Sequence, residues 1–495
     1  MPKHNVYPLR YFDDTPLWRA FILYYMFAFD SVLDPAKLKS GLELLVSLEG
    51  WKKFGARIRK NANGDLEYHL PEAAGTNENY QVISYSHVVY ATAAAQHPTA
   101  CYIPKPATGR PSVVVDPDKL ENLFRPDGAP TKMDDYLKGD IPQIGLHIVS
   151  FLDKTIIAIY FPHTLMDGMS MAPFLDAWIM ALQGRASEIP QPFGTGGHAH
   201  ELSNDPLIEF GTEPTVKHVL ASHKMSIAGI AGWMLHNVTS FFAGLENRMV
   251  CVPASTMARL HEEAIIDSEV DRNGDEPPPF FSDGDVLCAW WTRLLLATEI
   301  VPHSPDKTIV LNSAYSLRKI LFDSQVEPSG IEETQPAPSS SNVYVSNLVA
   351  FFNVILTAGD ILQQPLYRTA LAIRTALNTQ RTRPQAETFL YMWRKSWGKM
   401  PPMFGNWKMD LITFSNWTRA KLFDRDFSAA TVEAEVAGRP VRPTYVQNNQ
   451  FGLKLPNAFP IMGRDTSGNY WLSGYLKRGH WTRIEAQLEI PPKAT

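Results

Sequence analysis

His163-Thr164-Leu165-Met166-Asp167-Gly168 puts an imidazole, a carboxylate and a glycine in one short segment. Histidine changes charge near neutral pH, so it can take a proton from a hydroxyl or an amine. A carboxylate four residues on can orient that ring, or turn away and brace the loop through a cation. Gly168 lets the backbone turn tightly. The spacing alone is weak evidence, because the chain holds 14 histidines and a histidine at a strand end is often structural. Gly168-Met169-Ser170-Met171-Ala172 offers an alternative, a nucleophile elbow with its last glycine replaced, which would make the chain a serine hydrolase using Ser170. In that class the histidine comes last along the chain, whereas here His163 precedes Ser170. The pair His198 and His200 lies in a Gly-rich stretch without a third ligand, so no metal site is expected.

The elements around His163 are legible from their patterning. Ile144 to Phe161 reads as a hairpin turning at Asp153-Lys154, and its second arm, Ile156 to Phe161, is apolar enough for a strand covered on both faces. A helix is expected from about Met169 to Leu182. Trp18 to Phe29 is strand or buried helix. Pro35 to Leu48 has helical spacing, with Asp34 as its cap. Gly55–Arg59, Asn63-Gly64-Asp65 and Leu66–Tyr68 read as strand, turn, strand. The second half opens with a strand, Met249 to Val252. Asp267–Pro279 and Ser324–Asn342 read as exposed loops. Three units follow: 1–185, a crossover at 186–248, and 249–495.

Composition narrows the class. The chain has 495 residues, 45% hydrophobic and 20% charged, ordinary for a globular protein with a large core. The formal net charge is −5 and basic residues are dispersed, so no nucleic-acid partner is expected. Cys101, Cys251 and Cys288 are far apart and odd in number, which argues against a disulfide framework. The amino terminus has no secretory pattern, so a cytoplasmic setting is expected. Ile227 to Leu245 is apolar but carries His236 and Asn237 at its centre. It reads as a buried or amphipathic connecting helix rather than an integral membrane span.

Further blocks follow the His163 segment in order. Ser282-Asp283-Gly284-Asp285 can open a helix through a capping box. Leu311 to Arg318 reads as a strand ending in arginine, followed by Val345-Ser346-Asn347. Near the end come Thr413-Phe414-Ser415-Asn416-Trp417 and Asp424-Arg425-Asp426-Phe427-Ser428. Together with His163 and Asp167, this colinear set resembles the BAHD acyltransferase family, in its fungal secondary-metabolite branch. The resemblance runs over essentially the whole chain. It departs where the family's Asp-Phe-Gly-Trp-Gly stands here as Asp426-Phe427-Ser428-Ala429-Ala430.

The resemblance implies a mixed α/β fold of two chloramphenicol-acetyltransferase-like domains with a channel at their interface. It implies acyl transfer from acyl-CoA, a co-substrate rather than a permanently bound cofactor, to a hydroxyl or amine of a small-molecule acceptor. His163 would be the general base and no covalent intermediate would form. Asp167 would brace the loop by pairing with Arg318. Ser415 and Trp417 would stabilise the oxyanion, and Ser282, Asp285 and Arg318 would belong to the coenzyme side. A monomer is expected. The altered Asp-Phe-Ser block leaves a second reading, the same fold repurposed as a cyclase, epimerase or condensation catalyst on a polyketide- or terpenoid-like intermediate.

Overall fold

The computed structural model describes residues 4–71, 80–192, 207, 212–238, 244–271, 277–301, 303–322, 342–432 and 439–490. The first half supplies β1 (His4–Pro8), β2 (Phe21–Phe29), β3 (Arg57–Lys60), β4 (Leu66–Pro71), β5 (Ser84–Val89), β6 (Ser112–Val115), β7 (Gly145–Ser150) and β8 (Thr155–Pro162). After β9 (Gln191–Pro192) come β10 (Leu245–Val252), β11 (Thr308–Ser316), β12 (Asn342–Val343), β13 (Val349–Thr357) and β14 (Asp410–Asn416). The last three are β15 (Tyr445–Gly452), β16 (Ala458–Arg464) and β17 (Tyr470–Lys477).

Among the described residues, two mixed sheets dominate. One runs β15-β2-β8-β7-β5 and the other β13-β11-β14-β16-β17-β10-β6. β2 and β8 occupy the middle of the first sheet and every residue of both is buried. That explains their nearly unbroken apolar sequence, since helices and loops cover both faces. The segment from Trp18 resolves into a short helix, Pro16–Arg19, followed by β2. The helix Pro35–Ser47 starts where its cap requires, with Asp34 accepting from the N–H groups of Ala36 and Lys37. The helix Met171–Leu182 follows the His163 loop and lays Phe174, Leu175 and Trp178 into the core.

The sheets cross the expected division at 185 and 249. β6, from the first half, joins the second sheet beside β10. β15, from the second half, pairs with β2 over its full length. β9 and β12 add a short parallel pairing between the halves. Hydrophobic pattern specifies that a segment is a strand but not which of two sheets will hold it.

The crossover helix takes the amphipathic of its two expected forms, not the buried one. Ile227–His236 forms a helix with no buried residue. It leans on the second half through Trp233, whose Nε1–H donates to the Met409 carbonyl at 3.1 Å, and turns Ile227 and Leu235 outward. No described helix is long and apolar enough to cross a membrane. The acidic stretch at Asp267 begins inside the last turn of the helix Ala254–Val270 rather than in a loop. Most of the loop from Ser324, with His198 and His200, lies outside the described residues.

Asp118 ties the exchanged strands together. Its carboxylate accepts from Nδ2 of Asn247 on β10 at 3.1 Å, from Nδ2 of Asn449 on β15 at 3.0 Å, and from the Tyr475 hydroxyl on β17 at 3.3 Å. Replacing Asp118 with Ala strands these donors and should cost about 2 kcal/mol. Denaturant melts of the purified variant would test this, and a midpoint equal to wild type would contradict it.

Candidate active site

His163 stands immediately past the end of β8. Its N–H donates to the Phe21 carbonyl at 3.0 Å, so β2 and β8 hold the residue at the rim of their sheet. The ring stacks on Trp18, with centroids 4.2 Å apart and planes 19° apart. Nδ1 faces inward, buried and without a hydrogen-bond partner, which leaves Nε2 as the nitrogen able to meet another molecule. Burial pulls the ring's pKa below the usual imidazole value. Its own backbone carbonyl, Asp167 and the Asn347 side chain oppose that pull without overcoming it. A neutral ring at neutral pH is a base, not an acid.

Asp167 turns away from the imidazole. Its two carboxylate oxygens lie 2.9 and 3.0 Å from Nη2 of Arg318, at the end of β11. The N–H of Ser170 donates to Oδ1 at 2.9 Å and that of Leu348 to Oδ2 at 2.8 Å. Arg318 also donates to the carbonyls of Tyr344 and Ser346. A loop of the first half is thereby tied to two segments of the second. Ser170 is sealed inside this knot, its hydroxyl accepting from Arg318 at 2.7 Å and facing Asp167 and the Ser346 carbonyl. A buried hydroxyl held by a guanidinium has neither an imidazole nor room for an acyl group, so the hydrolase alternative fails on geometry.

Ser415 and Trp417 lie at the end of β14 and just beyond it. The indole N–H of Trp417 donates to Ser415 Oγ at 2.8 Å. It is therefore committed, and the hydroxyl hydrogen of Ser415 is the donor left over. Trp417 also explains Gly168, because a Cβ there would lie 2.7 Å from the indole. The loop carrying His163 thus reaches the β14 end with no space to spare.

Ser282 and Asp285 open the helix Asp283–Ala297. The Ser282 N–H donates to Asp285 Oδ2 at 2.7 Å and its hydroxyl at 2.9 Å. Both are gripped by Arg374, at 2.5 Å to Asp285 and 2.7 Å to Ser282. This helix start abuts β14, since a Cβ on Gly284 would lie 2.8 Å from Asn416 Nδ2. Arg381 is close enough to feel Arg419 and Arg374. Burial lowers its pKa first, and those two cations lower it further.

No family model matches the sequence. A Penicillium decumbens protein named transcriptional regulator calD is 36% identical over 507 residues, covering 99% of this chain and 97% of its own length. The acetyltransferase sphE of Aspergillus fumigatus is 32% identical, covering 98% of this chain and 95% of its own length. The fold matches F. graminearum TRI101 complexed with coenzyme A and deoxynivalenol, at a TM-score of 0.69 and 14% identity, over 97% of each chain. The chain belongs to the BAHD acyltransferase family.

Within that family, the altered Asp-Phe-Ser block keeps a defined turn. Asp426 Oδ1 accepts from the N–H groups of Ser428 and Val441 at 2.9 and 2.8 Å. Phe427 packs edge-on against Phe29 and Trp178. The two retained residues, Asp426 and Phe427, thus fix an Asx turn and a buried ring, and the departures fall on the three positions after them. Several residues of the site escaped sequence reasoning. Lys53, Asp13 and Asn347 are buried around the loop. Lys53 Nζ donates to the carbonyls of Leu165 and Val345 and to Ser346 Oγ. A buried lysine and an N-terminal aspartate have no local signature. Only the position of Asn347, in a block already singled out, hinted at a role.

Asp167→Ala would leave the part-buried Arg318 guanidinium without its counter-charge and the N–H groups of Ser170 and Leu348 without their acceptor, which should cost about 3–5 kcal/mol. Activity and the thermal transition should fall together. An inactive variant with an unchanged melting temperature would argue instead for a direct part in the reaction.

Proposed function

We propose that this chain transfers an acyl group from a coenzyme A thioester to a hydroxyl or amine of a small secondary metabolite, with His163 as general base. The observation that carries this reading is the pairing of a neutral, stacked imidazole at a strand rim with a carboxylate turned wholly away from it. An aspartate spent on Arg318 cannot activate a nucleophilic triad, but it can hold a loop still.

The acceptor's hydroxyl or amine would attack the thioester carbonyl while Nε2 of His163 takes its proton. The negative charge passes to the carbonyl oxygen, where a preplaced donor helps most. Ser415 suits that task, because Trp417 donates into its oxygen and leaves its hydrogen free. Trp417 therefore acts through Ser415 rather than on the oxyanion. Collapse of the tetrahedral adduct expels the thiolate, which recovers the proton from His163. The acyl group ends on the acceptor, and no covalent bond to the chain is needed.

The basic cluster beyond β14 supports a phosphate-bearing donor. Asp285 offsets Arg374, while Arg381 and Arg419 add positive charge beside it. A cation crowded by cations gains most from an anion. Ser282 and Asp285 would hold Arg374 in place rather than touch the coenzyme. Arg318, saturated by Asp167 and two carbonyls, belongs to the loop brace.

The name of the Penicillium decumbens relative suggests gene regulation instead. The net charge of −5 offers no broad attraction to DNA, and regulation would leave the His163 arrangement without a use.

A panel of acyl-CoA thioesters, each offered with candidate acceptors and scored by thiol release, tests the reading. Wild type should release thiol only when an acceptor is present, and His163→Ala should lose that release by about a thousandfold or more. An undiminished rate in His163→Ala would refute the base. The rate should hold through neutrality and drop on the acid side of about pH 6.5, where protonation would disable a lone base, with the midpoint below that value because burial lowers the ring's pKa. Arg381→Ala should raise KM for acyl-CoA about fivefold with kcat nearly unchanged, the signature of lost uniform binding. An unchanged KM would remove Arg381 from the donor site.

A further inference from the structure

We infer that Asp13 is a positioning residue for His163, acting through Asn347 across the junction of the two halves. The inference rests on His163 being the base. Asp13 sits in the turn that precedes the helix Pro16–Arg19, with its N–H on the Arg10 carbonyl, and its side chain is buried. One oxygen, Oδ1, accepts from the backbone N–H of Asn347 at 2.8 Å and from its side-chain Nδ2 at 2.9 Å. The same Nδ2 donates to the carbonyl of His163 at 2.9 Å.

An amide nitrogen has two hydrogens, and here both are used, one on the carboxylate and one on the histidine's carbonyl. The amide cannot be turned over, because its oxygen would then face two acceptors. His163 is therefore gripped on both sides of its Cα. Its N–H is held by Phe21 and its carbonyl by Asn347. Those two bonds fix the direction in which the Cα–Cβ bond aims the ring.

Burying a carboxylate for this purpose is costly. Burial pushes the Asp13 carboxyl up to about 6, and Lys53 and Arg10 counter part of that. Lys53 is a partner rather than a bystander, since its ammonium also binds the main chain at Leu165 and Val345, on either side of the junction. A neutral acceptor would cost less to bury. An anionic one holds the amide more firmly, because charge-assisted bonds are about twice as strong as neutral ones.

The test uses the full chain. Asp13→Ala removes the acceptor, Asp13→Asn keeps an oxygen able to accept both bonds, and Asn347→Ser keeps the backbone N–H but cannot reach the His163 carbonyl. Rates are normalised to the folded fraction, and the His163 ring resonances are assigned by their loss in His163→Ala. Asp13→Ala and Asn347→Ser should each lower kcat about tenfold to a hundredfold, with KM for both substrates within about twofold, as misaiming without lost binding predicts. The His163 ring resonances should move in both variants, and Asp13→Asn should recover most of kcat and restore them. Wild-type kcat per folded molecule with unmoved ring resonances in Asn347→Ser would overturn the proposal, even if Asp13→Ala failed to fold. Full activity in His163→Ala would refute the base instead, and the ring resonances would still report whether Asp13 positions it.

Discussion

The ion pair between Asp167 and Arg318 joins residues 151 positions apart, and the site exists only where it forms. Two charges taken out of water lose several kcal/mol of solvation each, and their attraction returns this only with good geometry and further hydrogen bonds. Both conditions are met. The carboxylate accepts from Arg318, Ser170 and Leu348, and the guanidinium also reaches two carbonyls. A pair built this way adds little net stability over a well-packed apolar substitute, but it is specific. It tolerates one register between the His163 loop and the segments at 318 and 344–348, because any other leaves a charge uncompensated.

The same constraint explains the chemistry available to the ring. Spending Asp167 on Arg318 limits how far it can stabilise an imidazolium, and it only partly opposes the effect of burial. With burial dominant and the counter-charge engaged elsewhere, the ring prefers to be neutral. An orienting carboxylate would raise the ring's basicity and help it hold a proton. A weakly held proton is what the proposed base would need, since it would have to return that proton to a departing thiolate in the same turnover.

How much of this is legible in the chain depends on how local each signal is. The hairpin of β7 and β8, the cap at Asp34 and the Ser282–Asp285 box are written within a few residues, and pattern finds them. His163 and Asp167 were legible as a pair, but the direction Asp167 faces was carried only by family resemblance. The exchange of β6 and β15 between sheets has no local mark. Lys53 is a lysine like any other until Leu165 and Val345 close over it from 112 and 292 residues away. The crossover helix is a case where pattern left two forms open, buried or amphipathic, and tertiary packing chose the second. Ile227–His236 is apolar enough to be core, yet its outward side chains meet no second layer.

Trp417 shows how far such closure extends beyond the charges. Its ring occupies the space a Cβ on Gly168 would need, and its N–H is spent on Ser415. The His163 loop and the Ser415 hydroxyl are therefore set by one side chain, which touches both. A glycine in the His163 loop then serves less to permit a turn than to leave room for that indole. Gly284 does the same for Asn416, one residue earlier on the chain. At both contacts, the second half reaches the His163 loop and the basic cluster from the single strand end of β14. A shift of that strand would move the Ser415 hydroxyl and the helix start carrying Arg374's partners together, which couples the two ends of the proposed donor site mechanically.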